Sequence, residues 1–305
     1  MRLPPELAGR PELADLRARR LLRDLPQRRV WEIRLRGAPA FLKQFRGPDA
    51  EAAARGAEAR LHEAAGILGH QHNAVTRPLL LIAEVGVLVT EAASGQPLAE
   101  ALDRADARTR AALLARAGAW LACLAAPTRE IGSFGPRFWI EGLERRLKGS
   151  VGDWLDRDLV QVHLDWMRAA SPALRGVPVV KARLHGDLTG DNLFHDPATD
   201  RLTGIDMQDW GSTAIARDMA RLLVWTESRR TTEANQPDDA PLRDGIAAAD
   251  HRALTSVPGL LTPDQGPILR FMIAEILLAY YLDSVRQPQR RAVLARAMRV
   301  WQAES

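Results

Sequence analysis

Residues 184–194 read Leu-His-Gly-Asp-Leu-Thr-Gly-Asp-Asn-Leu-Phe, and this segment constrains the fold more than any other in the chain. His185 stands two residues before Asp187 and Asn192 five residues after it. Asp206, in Thr-Gly-Ile-Asp-Met-Gln-Asp-Trp-Gly, follows 19 residues after Asp187. Apolar runs flank the polar segment: Val179–Leu184 before it, and Leu193–Phe194 and Leu202–Ile205 after it. That pattern predicts a polar loop held between short strands. The loop and the hairpin after it bring one carboxylate, one carboxamide and a second carboxylate, all hard oxygen groups. One can take a proton from a hydroxyl, and two can hold a hard cation. Turn chemistry alone would explain Asp187 and Asn192 as caps on local backbone, but it does not call for Asp206.

The rest of the chain falls into two stretches. Pro11–Leu25, with Leu13, Leu16, Leu21 and Leu22 at helical spacing, is predicted to be an amphipathic helix. Val30–Leu35 and Ala40–Phe45 read as a hairpin about Gly37-Ala38-Pro39, followed by a helix over Pro48–Leu68 and two apolar runs, Leu79–Ala83 and Val85–Thr90. Beyond Ser94-Gly95-Gln96-Pro97 the pattern is mainly helical: Ala107–Ala126, Phe138–Lys148, Leu155–Met167, Ala214–Ser228, and Pro288–Trp301. Thr262-Pro263-Asp264-Gln265 has the form of a helix start, opening a helix to about Val285. The chain therefore divides into an α+β part, residues 1–93, and a larger, mostly helical part, residues 94–305.

Composition narrows the class. Of 305 residues, 46% are hydrophobic and 26% charged, as in a globular protein with a real core. The single cysteine, Cys123, excludes an intrachain disulfide and any multi-cysteine metal site; its helix face is apolar, so it is expected in the core. The N-terminal segment is charged and has no apolar core of a targeting signal. Leu79–Val89 and Phe271–Leu282 are interrupted by Glu84 and Glu275 and fall short of the about 20 residues that span a bilayer. A cytoplasmic location is expected.

Forty-two Lys and Arg face 38 Asp and Glu, a net charge of +4, and only Lys43, Lys148 and Lys181 among the 42 are lysines. The arginine excess reads as coding bias rather than as a nucleic-acid signature. The first 60 residues carry +6 and the remainder −2. The basic part is either a solvated face or an attraction to phosphate-rich ligands or an anionic membrane surface. His70-Gln71-His72 lacks a third ligand and reads as a polar loop rather than a metal site. Glu233, Asp238, Asp239 and Asp244 read either as a solvated loop or as recognition of a cationic substrate.

The His185-Gly186-Asp187 run, Asn192, Asp206 and Arg217-Asp218-Met219-Ala220 together resemble the aminoglycoside phosphotransferase and choline kinase branch of the protein-kinase-like fold. The resemblance covers about residues 25–285 and is most specific over 183–222. It implies a bilobal α+β fold with a small N-terminal nucleotide-binding lobe, an antiparallel sheet with one main helix, and a larger, mostly helical catalytic and acceptor-binding lobe. It implies transfer of the ATP γ-phosphate to a hydroxyl of a small molecule with Mg2+.

In that reading Asp187 is the base, His185 orients the loop, and Asn192 and Asp206 hold the metal, with Asp209 as second choice; Asp191 is an extra acid that either adds to the metal field or faces solvent. Asp218 buttresses the loop. Lys43, on a strand with Phe41 and Phe45, holds the phosphates and pairs with Glu63, or alternatively Glu58. The backbone near Glu91 and Ala93 contacts the adenine.

The sequence departs from the branch in two respects: Leu25-Pro26-Gln27-Arg28-Arg29, where the phosphates would be covered, contains no glycine, and Leu121-Ala122-Cys123-Leu124-Ala125 lacks the histidine that ends this helix in many relatives. ATP or GTP, the identity of the acceptor and the oligomeric state stay open. So do a sugar or lipopolysaccharide kinase with peripheral membrane contact, and a nucleotide-binding pseudokinase with a regulatory role.

Overall fold

The computed structural model describes residues 4, 6, 7, 9–69, 71–208, 211–230 and 242–303. His70, Asp209, Glu233, Asp238 and Asp239 lie outside these described residues. Two compact units divide the chain: 1–96 with 194–209, and 97–193 with 210–305.

The first unit begins with β1 (Leu16–Leu25), β2 (Arg28–Leu35) and β3 (Ala38–Phe45), followed by α1 (Ala50–Leu68). Then come β4 (Asn73–Val75), β5 (Pro78–Ile82), β6 (Val87–Glu91) and the two-residue β7 (Gln96–Pro97). Five strands form an antiparallel sheet in the order β1-β2-β3-β6-β5. Its core face alternates along each strand: Trp31 and Ile33, Ala40 and Leu42, Val87 and Val89, joined by Leu16 and Ile82 and closed by Leu7 and Leu13. Leu88 is buried on the opposite face, so β6 has apolar residues on both sides, as a central strand does. α1 packs on β3, β5 and β6. The β2–β3 turn is Arg36-Gly37, with φ of 50° and 81°, one residue earlier than the Gly37-Ala38-Pro39 turn expected. Two left-handed residues match the strand twist.

The expected helix over Pro11–Leu25 is instead a single turn, Pro11–Leu13, followed by β1. The reason lies in two register shifts, between Ala18 and Arg20 and between Leu21 and Arg23. Each adds a residue to the strand, so the core-facing Leu16, Ala18 and Leu21 lose strict alternation and imitate helical spacing.

The second unit holds α2 (Leu98–Arg104), α3 (Ala107–Ala125), β8 (Glu130–Ser133), α4 (Pro136–Lys148), α5 (Arg157–Leu174) and β9 (Pro178–Arg183). β10 (Leu193–Asp196) and β11 (Arg201–Gly204) follow; β11 runs parallel to β4, which ties 194–209 into the first unit. The chain then gives β12 (Ser212–Ala214), α6 (Ile215–Glu227), β13 (Leu242–Arg243), β14 (Ile246–Ala247), α7 (Ala248–Thr255), α8 (Gly266–Asp283) and α9 (Pro288–Ala303). α8 packs on α4, α5, α6 and α9 and is buried along most of its length. Thr262 makes no side-chain cap; a short turn over Pro263–Gln265 precedes α8. Asp244 does not belong to a solvated loop: it turns the β13–β14 hairpin at φ 54° and lies 3.2 Å from Arg270.

Cys123 is exposed, contrary to expectation. Leu121 and Leu124 point into the core of the unit, and a residue two positions after the first faces away. Ala107–Thr128 is the one stretch among the described residues long and apolar enough to cross a membrane. Its Leu114, Ala117, Trp120, Leu121 and Leu124 are at 0% exposure, so core packing accounts for its apolarity.

The helical core also sets a pH limit. His163 on α5 is completely buried, its ring 4.6 Å from that of Trp301 on α9, and its Nε2–H donates to the Ala274 carbonyl at 2.9 Å. Burial pulls the imidazole from 6.5 down to about 4. The folded state keeps His163 neutral, whereas the unfolded chain takes up its proton near 6.5. Its contribution is therefore full above pH 6.5 and is lost as the pH falls toward 4. The expected slope is about 1.4 kcal/mol per pH unit in that window. Urea midpoints at pH 7 and pH 5 measure it: the midpoint falls in the parent and falls less in His163→Gln. Equal falls in the two would contradict the assignment.

Candidate active site

The polar loop lies in the second unit, between β9 and β10. His185 is completely buried, with its ring centroid 6.0 Å from that of Trp120 on α3. Its Nδ1 accepts the backbone N–H of Asp187 at 3.2 Å. Gly186 has φ 81°, a left-handed conformation that suits glycine, and its N–H donates to Asp218 Oδ2 at 3.0 Å. Asp218, 1% exposed, sits in the first turn of α6 and ties the loop to that helix.

Asp187 is held from two sides. Arg221 Nη1 donates to its Oδ1 at 2.6 Å. Asn192 Nδ2 donates to its Oδ2 at 3.2 Å and to its backbone carbonyl at 2.9 Å. With its nitrogen committed to Asp187, the Asn192 amide turns its oxygen the other way, where it can serve as a ligand. Asp187 keeps 39% of its side chain exposed, so the carboxylate is fixed but accessible.

Behind Asp187 is a buried charge cluster that sequence reading missed. Arg217 and Arg221 are one turn apart on α6, near Glu275 and Tyr280 of α8. Burial pushes the Glu275 carboxyl up, and Arg217 and Arg221 pull it back. Burial also pushes Tyr280 up to about 12. Burial disfavours the Arg221 charge, but Tyr280, Asp187, Asp218 and Glu275 outweigh it and hold the guanidinium above its ordinary value. The Arg217 guanidinium lies 4.8 Å from the Trp139 ring centroid. The helical i, i+4 spacing of the two arginines was the available signal.

Gly190 turns the loop where no side chain fits. A Cβ there would lie 2.5 Å from the Trp225 ring and 3.0 Å from the Ala99 nitrogen, which donates to the Gly190 carbonyl. Gly190→Ala is expected to cost about 1–3 kcal/mol through overpacking and to disturb Asn192, two residues on. A urea titration that leaves the midpoint unchanged would contradict this.

The first unit carries the second set of groups. β2–β3 pairing places Val30 opposite Lys43 and Arg28 opposite Phe45, so Arg28, Lys43 and Phe45 share one sheet face. Lys43 Nζ lies 5.0 Å from the Phe45 ring centroid and forms an ion pair with Asp206 Oδ1. Arg28 Nη1 approaches the other oxygen, Oδ2, at 3.4 Å. Asp206 follows β11 with φ 56°, a strained conformation of the kind that collects at functional sites.

The expected Lys43–Glu63 pair is not formed, nor is a Lys43–Glu58 pair. Lys43 takes the carboxylate on its own sheet face. Glu63 Oε2 instead accepts from Arg60 Nη1 at 2.7 Å, one turn earlier on α1, where a guanidinium with 3% of its side chain exposed demands a counter-charge. Glu91 ends β6: its carboxylate accepts Arg77 N–H at 3.0 Å and Arg77 Nε–H at 2.8 Å, and its own N–H donates to the Arg77 carbonyl. Ala93 follows in irregular backbone, and Asp191 is exposed. No group of three or more His, Cys, Asp or Glu poised for a metal occurs among the described residues.

A strand lysine on an antiparallel sheet, one main helix, and a His-x-Asp loop within a mainly helical unit define the protein-kinase-like fold. Residues 17–260 match the profile of the phosphotransferase enzyme family, and the chain belongs to that family. No curated protein sequence matches the chain. Among solved structures, it is similar to the apo form of a thermostable mutant of aminoglycoside phosphotransferase APH(4)-Ia. That likeness has a TM-score of 0.60 and 15% identity over 93% of this chain and 94% of the other. A ternary complex of a mutant of the same enzyme with ADP and hygromycin B gives TM-score 0.60, 14% identity, and 96% and 94% coverage. The GDP and kanamycin complex of APH(2")-IIIa gives TM-score 0.62, 12% identity, and 96% and 94% coverage.

Proposed function

We propose that this protein is an ATP-dependent small-molecule kinase that moves the γ-phosphate to an acceptor hydroxyl. The observation that carries the reading is Asp187: a solvent-accessible carboxylate, fixed by Arg221 and Asn192, on a loop anchored by His185 and Asp218. Such a group receives the proton that the hydroxyl gives up as its oxygen attacks phosphorus, and it orients that oxygen. The attack forms the acceptor oxygen–phosphorus bond and breaks the bond to the β-phosphate oxygen, which leaves on ADP.

The donor chemistry fits Mg2+. Asp206 carries a carboxylate and Asn192 a carboxamide oxygen, each by itself a hard donor of the kind that would hold the ion beside phosphates and water. When bound, the ion offsets the negative charge of the polyphosphate. Lys43 binds phosphate oxygens, and the backbone between Glu91 and Ala93 meets the purine. In this reading residues 1–93 bind nucleotide, residues 94–305 hold the base and the acceptor, and the reaction takes place in the cytoplasm. The structural relatives with hygromycin B and kanamycin favour amino sugars as the first acceptors to test, with amino alcohols and neutral sugars beside them.

The test is ADP release by purified protein with ATP and Mg2+ across such a panel. Acceptor-dependent release supports the reading. Nucleotide binding with no turnover on any acceptor would favour the pseudokinase instead.

A further inference from the structure

The geometry points to Arg28 as a phosphate-binding residue that replaces a glycine-rich loop at the β1–β2 turn; this rests on the nucleotide-dependent reading above. The turn is as short as a hairpin allows. Leu25 pairs with Arg28, and only Pro26 and Gln27 connect them. A glycine-rich loop holds phosphate through a run of backbone N–H groups made convergent by left-handed residues. Neither Pro26 nor Gln27 has positive φ, no glycine occurs between Gly9 and Gly37, and Pro26 has no N–H to give. The backbone of this turn therefore offers no anion cradle.

A side chain can supply what the backbone does not. Register puts Arg28 on the face that carries Lys43, and both cations converge on Asp206, one at each carboxylate oxygen. Among the described residues, Arg28 and Lys43 both form their ion pair with this one carboxylate, two positive charges against one negative. The side chains of Arg28, Lys43 and Asp206 are 26%, 18% and 25% exposed, so a ligand can reach all three. A polyphosphate has the charge and the paired oxygens to take up the surplus, and the planar guanidinium fork matches two phosphate oxygens at once. Arg29, the next residue, pairs opposite Gln44 on the other face and donates to Asp24 at 2.8 Å. It provides a control with the same charge on the same strand.

Calorimetric titration of the full chain with ATP, ADP and adenosine in the presence of Mg2+ tests the inference. Arg28→Ala is expected to weaken ATP and ADP binding by about 10- to 100-fold, the value of hydrogen bonds to a charged group, with adenosine affinity kept. Arg28→Lys restores part of the loss, and Arg29→Ala changes neither ligand. ATP binding by Arg28→Ala at the parent affinity would overturn the assignment. So would an equal loss of ATP and adenosine, which would mark a damaged hairpin. A parent protein that binds adenosine and ATP equally overturns it as well. A parent that binds none of the three would overturn the functional reading itself, so the two failures are told apart.

Discussion

Asp187→Asn is expected to lower kcat by about 10²–10⁴-fold, the usual contribution of a positioned base, while leaving ATP affinity nearly unchanged. Asparagine has the same shape and can still accept from Arg221 at one oxygen. It cannot take a proton from the acceptor hydroxyl, and its amide nitrogen sets a donor against the donors of Arg221 and Asn192, which now hold the carboxylate at 2.6 Å and 3.2 Å. The loss should therefore fall on turnover. Steady-state kinetics on an identified acceptor, together with a nucleotide titration, separate the two. Equal turnover in parent and variant would remove Asp187 from the role of base.

Lys43→Met is expected to cost about 10²–10³-fold in kcat, the scale for losing one preorganised group that stabilises developing charge. Methionine keeps the unbranched stem beside Phe45 and removes the ammonium that faces Asp206. The ammonium's place is specific. Its side chain is 18% exposed and comes from a strand flanked on both sides, so a longer, planar guanidinium does not fit the same point. Lys43→Arg is accordingly expected to recover little. Loss of turnover in Lys43→Met with full recovery in Lys43→Arg would show that charge alone matters there.

The polar loop around Asp187 was legible because its residues are written in one contiguous stretch. His185 and Asn192 both hydrogen-bond to Asp187 within that loop, and Asp218 meets Gly186 from the helix expected after the hairpin. Lys43 stood out because a chain that writes nearly every cation as arginine keeps a lysine there. Its partner was not legible. Asp206 lies 163 residues away, and only the return of β10 and β11 to the first unit brings it to that sheet face. Glu63, which spacing favoured, is taken by a neighbour one turn away on its own helix.

β1 was misread because its bulges destroy the alternation by which a strand is known. Arg28 is not distinguishable from Arg29 in the sequence because the difference depends on register: only the pairing Arg28↔Phe45 reveals that it shares a face with Lys43. The cluster behind Asp187 was hidden for a related reason. Glu275 reads as an interruption in an apolar run until the packing of α8 on α6 sets it among Arg217 and Arg221.

The most direct measurement follows the γ-phosphate itself. The full-length protein is incubated with ATP carrying 18O in its γ-phosphate, Mg2+ and a small-molecule extract, and the products are read by mass spectrometry. The expected result is a phosphate monoester bearing the label, formed by the parent protein and absent with Asp187→Asn. Bound ATP with the label remaining wholly on nucleotide, or appearing only as inorganic phosphate whatever the acceptor, would contradict transfer to a small-molecule hydroxyl.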